Sequence, residues 1–127
     1  MIVYASRTGN VEHIVGKLSK DIPTIKLETT LIVEEPYFLF TYTDGLGDIP
    51  NVVKSFLMFN ELNRRNLKGV IASGNTNFGI ENYCGSADKI SERFNVPIIR
   101  KIDLRGNSDD VATIEKHYKN MIAGESY

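Results

Sequence analysis

Met1-Ile2-Val3-Tyr4-Ala5-Ser6-Arg7-Thr8-Gly9-Asn10-Val11 carries an apolar, β-type run into a polar loop containing glycine. Val11, Ile14, Val15 and Leu18 then recur as on one face of a helix. A strand, a tight loop and a helix start together make a site for an anion. The N–H groups of a first helical turn lack intrahelical partners, and the helix dipole favours negative charge there. Ser6 and Thr8 add hydroxyl donors, Gly9 allows a positive φ, and Asn10 suits the N-cap. The loop reads as a cradle for one phosphate group, although the same arrangement is a plain connection in many α/β proteins. It has neither the three glycines of a dinucleotide fingerprint nor the Gly-Lys-Ser/Thr ending of a P-loop. NAD and ATP are therefore disfavoured, which leaves a mononucleotide or a simple phosphate ester.

Working outward from that loop, Asp21-Ile22-Pro23 stops the first helix, since proline cannot continue a helix interior. Thr24-Ile25-Lys26-Leu27 alternates as an edge strand does, and Glu34-Glu35-Pro36 marks a solvated turn. Tyr37-Phe38-Leu39-Phe40-Thr41-Tyr42 is almost wholly apolar and aromatic, as expected of a central strand covered on both faces. After Thr43-Asp44-Gly45-Leu46-Gly47-Asp48-Ile49-Pro50, the residues Val52, Val53, Phe56, Leu57 and Phe59 predict a helix fading around 63–66. Leu67 to Ala72 is a buried strand that empties into Ser73-Gly74-Asn75-Thr76-Asn77-Phe78-Gly79. A helix bearing Ala87, Ile90 and Phe94 follows, then a strand over 97–104. Gly106-Asn107-Ser108 caps a last helix with Val111, Ile114, Tyr118 and Met121 on its inner edge; Asp109 and Asp110 complement its dipole.

Strands and helices thus alternate, which predicts a parallel sheet with helices on both faces and right-handed crossovers. The 127 residues, 42% hydrophobic, suit a single domain over 1–127 without repeat or linker. Fifteen basic and sixteen acidic residues leave a net charge of −1, and no basic stripe suggests nucleic acid. A strand beginning at Met1 leaves no room for a signal peptide, and no apolar run is long enough to span a membrane. A cytoplasmic protein is the expectation. Cys84, the one cysteine, forms no disulfide framework and falls at a predicted helix start, where a thiol pKa can be lowered. His13 and His117 have no partner pattern and read as surface or packing residues.

In such sheets ligands bind beyond the carboxyl ends of the strands, where strand order reverses. Three loops leave such ends, at 6–10, 43–49 and 73–83, all rich in Gly, Asn, Ser and Thr. They suit a ligand with a phosphate at one end and a flat body at the other, with Phe78 or Tyr83 stacking on the plane. Flavin mononucleotide, FMN, is such a molecule. A glycine-flanked peptide at Gly45 or Gly47 can rotate its C=O or its N–H toward the ring as the redox state changes. A plain turn requirement accounts for those glycines equally well.

The loop Ser-x-Thr-Gly-Asn resembles the phosphate loop of flavodoxins. Gly69-Val70-Ile71-Ala72-Ser73-Gly74-Asn75-Thr76-Asn77-Phe78-Gly79 is similar, more specifically, to the signature of the NrdI family. These are small flavodoxin-like partners of class Ib ribonucleotide reductase. The resemblance extends through Val96-Pro97 and Asp103-Leu104-Arg105-Gly106-Asn107-Ser108-Asp109-Asp110. It implies a flavodoxin-like, doubly wound α/β fold with a five-stranded parallel sheet in the order 2-1-3-4-5. It also implies FMN held by its phosphate at Ser6, Arg7, Thr8, Gly9, Asn10 and Val11. Thr43, Asp44, Gly45, Leu46, Gly47, Ser73, Gly74, Asn75, Asn77, Phe78, Gly79 and Tyr83 would surround the isoalloxazine. Leu46 is not aromatic, so the resemblance does not extend to the stacking ring that ordinary flavodoxins have there.

Members of that family dock on the metal-containing small subunit of the reductase, NrdF. Their flavin, reduced by a separate donor, reacts with dioxygen to supply a superoxide-type oxidant that assembles a dimanganese–tyrosyl radical cofactor. The chain would then be a redox accessory protein with no catalytic residue or metal site of its own. Its balanced charge agrees. One carboxylate ~10 Å from the ring, at an effective dielectric of ~40, penalises an anionic reduced flavin by about 0.8 kcal/mol. Few carboxylates, Asp44, Asp48 and Glu81, fall in the expected flavin loops, so full reduction should be easier than in a strongly acidic flavodoxin. The competing readings are a generic flavodoxin electron carrier and a flavin-free receiver-type module. Ser6 and Arg7, where a receiver has acidic residues, count against the last.

Overall fold

A computed structural model describes residues 1–79 and 82–124, for Phe78 the backbone alone. Five parallel strands, β1 (Ile2–Tyr4), β2 (Thr24–Lys26), β3 (Tyr37–Tyr42), β4 (Leu67–Gly74) and β5 (Ile98–Asp103), lie in the order β2-β1-β3-β4-β5. The helices are α1 (Asn10–Val15), α2 (Asn51–Phe59), α3 (Glu61–Arg65), α4 (Gly85–Phe94) and α5 (Ser108–Ile122). The fold is the flavodoxin-like doubly wound sheet expected above, and β2, exposed along its length, is one of its two edges, β5 the other.

The alternation of side chains along each strand builds two cores. On β3, Tyr37 and Leu39 face one side with Val3, Val70 and Ala72, against Val53, Phe56 and Leu57 of α2 and Ala87 and Ile90 of α4. Phe38 and Phe40 face the other side with Ile2, Ile71 and Ile102, against Val11 and Ile14 of α1 and Ile114, Tyr118 and Met121 of α5. Tyr37 to Phe40 are all fully buried, which explains the unbroken apolar run. Burying each such side chain is worth about 1.5–3 kcal/mol, so a strand as short as β1 is held by packing rather than by propensity.

Three local expectations are corrected. Asn10 is the first residue of α1, and the N-cap is Gly9, at φ 89° with no side-chain cap bond. At that φ a glycine avoids the steric cost an asparagine would carry. The long helix expected after Pro50 breaks at Asn60, whose extended backbone lets its Oδ1 accept from Leu62 N at 2.9 Å and start α3. Phe59, beside the break, is left 49% exposed. Asn63 turns inward, accepting from Val33 N and donating to the Leu31 and Phe56 carbonyls at 2.8–2.9 Å. It thereby anchors the helix-free connection from β2 to β3. Finally, β4 runs on through Ser73 and Gly74, pairing with Tyr42 and with Ile102 and Asp103, where a loop was expected.

Asp110 behaves as the structural residue it was read to be. Its carboxylate accepts from the Asn107 N–H and from Arg100 Nε, each at 2.8 Å, closing a capping box at the start of α5. Among the described residues no helix is long and apolar enough to cross a membrane.

Candidate functional site

At the carboxyl ends of β1, β3 and β4 lies a cavity of about 320 Å³. The strand order reverses between β1 and β3, so their connections leave on opposite faces and a crevice opens between them. Ser6, Arg7, Thr8, Asn10 and Val11 line it from the first loop, Thr43 and Gly45 from the second, and Ser73, Gly74 and Asn75 from the end of β4. All three strand ends named from the sequence therefore meet in one hollow.

The remaining nominated residues stand around that hollow. Gly9 turns the first loop, and Asp44 ties it to the second. The second loop is a closed turn: Asp44 and Asp48 exchange backbone hydrogen bonds at 2.9 and 2.7 Å, with Leu46 at the tip, 69% exposed. Gly47 is held from below by α4. A β-carbon on Gly85 would come within 2.8 Å of the Gly47 Cα and carbonyl oxygen, so only glycine permits this approach. Asn77 donates its N–H to Asn75 Oδ1 at 2.9 Å, and Gly79 closes the short 3₁₀ turn Thr76–Phe78; neither lines the cavity. Tyr83 is half-buried and packed against the core, where burial foremost raises its phenol pKa. The stacking expected of the Phe78 ring lies outside the described residues.

Three lining residues escaped the sequence reading: Tyr42, Asn82 and Leu104. Tyr42 was counted as core, but as the last residue of β3 it reaches the cavity and lies 5.1 Å beneath the Arg7 guanidinium. Asn82 falls within the third loop but was not singled out there, and Leu104 belongs to a fourth strand end, after β5, where Gly106-Asn107-Ser108 was read only as a helix cap.

The electrostatics favour an anion. Arg7 is the one charged side chain lining the cavity among the described residues, and no carboxylate lines it. Arg7 Nη1 bonds Asp44 Oδ1 at 2.7 Å, and Lys89 Nζ bonds Asp48 Oδ1 at 2.9 Å. Both acidic residues of the second loop are thus paired, and the Lys89 hydrogen bond holds the Asp48 carboxyl below its ordinary pKa. Ser6 Oγ, by contrast, is buried with no hydrogen-bond partner among the described residues. An orphaned hydroxyl in a polar cavity is costly unless a ligand satisfies it. With α1 only six residues long, these local donors matter more than the helix dipole.

Cys84 departs from its expected state. It lies under the ends of β4 and β5 at φ 50°, fully buried, with Sγ 3.4 Å from the Ala72 carbonyl and 3.7 Å from that of Ile102. Burial pushes the thiol up to about 11, not down, because desolvation of the thiolate outweighs the hydrogen bonds and the nearby Lys101 that favour it.

Fold and cavity together define a flavodoxin-like protein with a polar cavity at the topological switch point. A Streptococcus pneumonia flavodoxin superposes with a TM-score of 0.68 at 25% identity, covering 97% of each chain. Residues 2–116 match the family described as NrdI flavodoxin-like. Protein NrdI of Macrococcus caseolyticus is 41% identical over 111 residues, 87% of this chain and 82% of that one. Protein NrdI of Bacillus licheniformis is 38% identical over 125 residues, 98% of this chain and 92% of that one. The chain belongs to the NrdI family. Membership implies FMN as cofactor and a role with class Ib ribonucleotide reductase. The residues present fit that group: the cavity volume lies in the range of ligand pockets, and the Ser6 hydroxyl, without a partner among the described residues, and the Arg7 guanidinium, shared with Asp44, suit a phosphate ester.

Proposed function

We propose that the chain is a single cytoplasmic domain, 1–127, holding one FMN across its three strand-end loops. When bound and reduced by a separate donor, this flavin supplies electrons to dioxygen. The resulting superoxide-type oxidant serves assembly of the dimanganese–tyrosyl radical cofactor in the reductase small subunit, NrdF. The observation that carries the reading is the buried Ser6 Oγ beside Arg7, with no hydrogen-bond partner and no lining carboxylate among the described residues.

The chain's own residues bind, orient and tune. The Ser6 and Thr8 hydroxyls with the Arg7 guanidinium offer charge-assisted hydrogen bonds to a phosphate. The turn closed by Asp44 and Asp48, seated on Gly85, fixes one wall of the planar site; Ser73, Gly74 and Asn75 supply another. Pairing of Asp44 with Arg7 and of Asp48 with Lys89 mutes the negative charge that would oppose an anionic reduced ring. Exposed Leu46 leaves the outer edge of the second loop open to a partner surface.

The reading is tested by mixing the reduced protein with manganese-loaded small subunit and oxygen and measuring tyrosyl radical by electron paramagnetic resonance. Radical that depends on this protein, and that an unrelated reduced flavodoxin does not replace, is expected. Equal yields from both would reduce the role to a generic electron carrier, and no radical would overturn it.

A further inference from the structure

Leu104 stands in the turn between β5 and α5 at φ 52°, in the left-handed region. That conformation crowds the β-carbon of any L-residue and is uncommon for leucine. The turn gives no reason for leucine. Gly106, at φ 70°, already reverses the chain, and Asn107 caps α5, so asparagine or glycine at 104 would serve the backbone with less strain.

Two hydrogen bonds hold the strained residue. Its N–H donates to the Gly74 carbonyl at 2.8 Å, and its carbonyl accepts from Ser73 Oγ at 2.8 Å. Ser73 is itself 3% exposed, so this anchor is built into the end of β4. The leucine side chain so fixed does not enter the core. It remains 44% exposed and forms part of the cavity wall beside Gly74 and Asn75. A strained residue held by a buried anchor, with its apolar side chain on a cavity wall, is accounted for by a ligand that covers it.

We propose that Leu104 is a cofactor-contacting residue from a fourth strand end. Its side chain is buried against the body of the bound flavin, and Ser73 is the positioning residue that aims it. The inference rests on the FMN reading above and adds the β5–α5 turn to the three loops.

The test compares Leu104→Gly with the wild type, using apoprotein melting temperature and dissociation constants for FMN and riboflavin by flavin fluorescence. Glycine relieves the backbone strain, so a melting temperature within a few degrees of wild type is expected. Loss of the apolar contact should weaken FMN about tenfold and riboflavin by the same factor, because the side chain touches the body both share. Leu104→Met should restore most of the affinity. If the glycine variant melts early, Leu104→Asn, which tolerates the left-handed backbone, carries the same expectation. Ser73→Ala should weaken FMN alone, yet add nothing in the Leu104→Gly background. Wild-type affinity in both the glycine and asparagine variants, or full additivity of the two sites, would overturn the proposal while leaving FMN binding intact. A wild type that binds no FMN would instead overturn the reading on which it rests.

Discussion

Arg7 Nη1 lies 2.7 Å from Asp44 Oδ1, so the first and second loops of the cavity are joined by an ion pair. Its side chains are 56% and 39% exposed, so its worth to the fold is under ~1 kcal/mol. Its consequence is electrical. Arg7→Gln leaves the Asp44 carboxylate uncompensated beside the cavity. At ~10 Å and an effective dielectric of ~40 that costs an anionic reduced ring about 0.8 kcal/mol, on the order of 35 mV for one electron. Potentiometric titration should show the flavin harder to reduce in Arg7→Gln, easier in Asp44→Asn, and near wild type in the double variant. An unchanged or raised potential in Arg7→Gln would contradict the pairing argument.

Gly85 and Gly47 form the second seat of that turn. A methyl group on Gly85 meets backbone, not a yielding side chain, 2.8 Å away, so the turn or α4 must move. Gly85→Ala is expected to cost about 1–3 kcal/mol of stability and to weaken FMN binding. Denaturant melts with a fluorescence titration check both; a variant with unchanged affinity would show that the turn is not aimed by α4.

The buried Cys84 thiol makes stability depend on pH at the alkaline end. Its pKa is raised from an ordinary 9.0 to about 11 in the folded chain, so folding favours the protonated form. The contribution is therefore complete below pH 9 and is lost as pH rises through 11. By linkage that is roughly 2–3 kcal/mol, to order of magnitude. The stability difference between wild type and Cys84→Ala should shrink over that window and be constant below it. Thiol labelling at pH 7–8 should be slow in the native protein, and Cys84→Ser should still bind FMN.

The sheet order and both helix layers were legible because β3 is apolar without interruption and the helices keep their periodic faces. The three strand ends were legible because turn chemistry there is written in Gly, Asn, Ser and Thr. Other features depend on contacts that no local pattern carries. The break at Asn60 arises from a side chain capping its own backbone, which helical periodicity does not register. The left-handed Leu104 exists because Ser73 and Gly74, some thirty residues away in the chain, hold it. Cys84 lies at a helix start, as expected, but β4 and β5 cover it, and burial outweighs the local dipole.

Titration of the apoprotein with FMN and, separately, riboflavin tests the account most directly, because the two differ only in the phosphate assigned to the first loop. One FMN should bind per chain, and riboflavin should bind at least about a hundredfold more weakly. Two or more charge-assisted hydrogen bonds, each worth ~1.5–3 kcal/mol, are lost with the phosphate. Equal affinity for the two flavins, or no saturable binding of either, would contradict a phosphate cradle built from Ser6, Arg7 and Thr8.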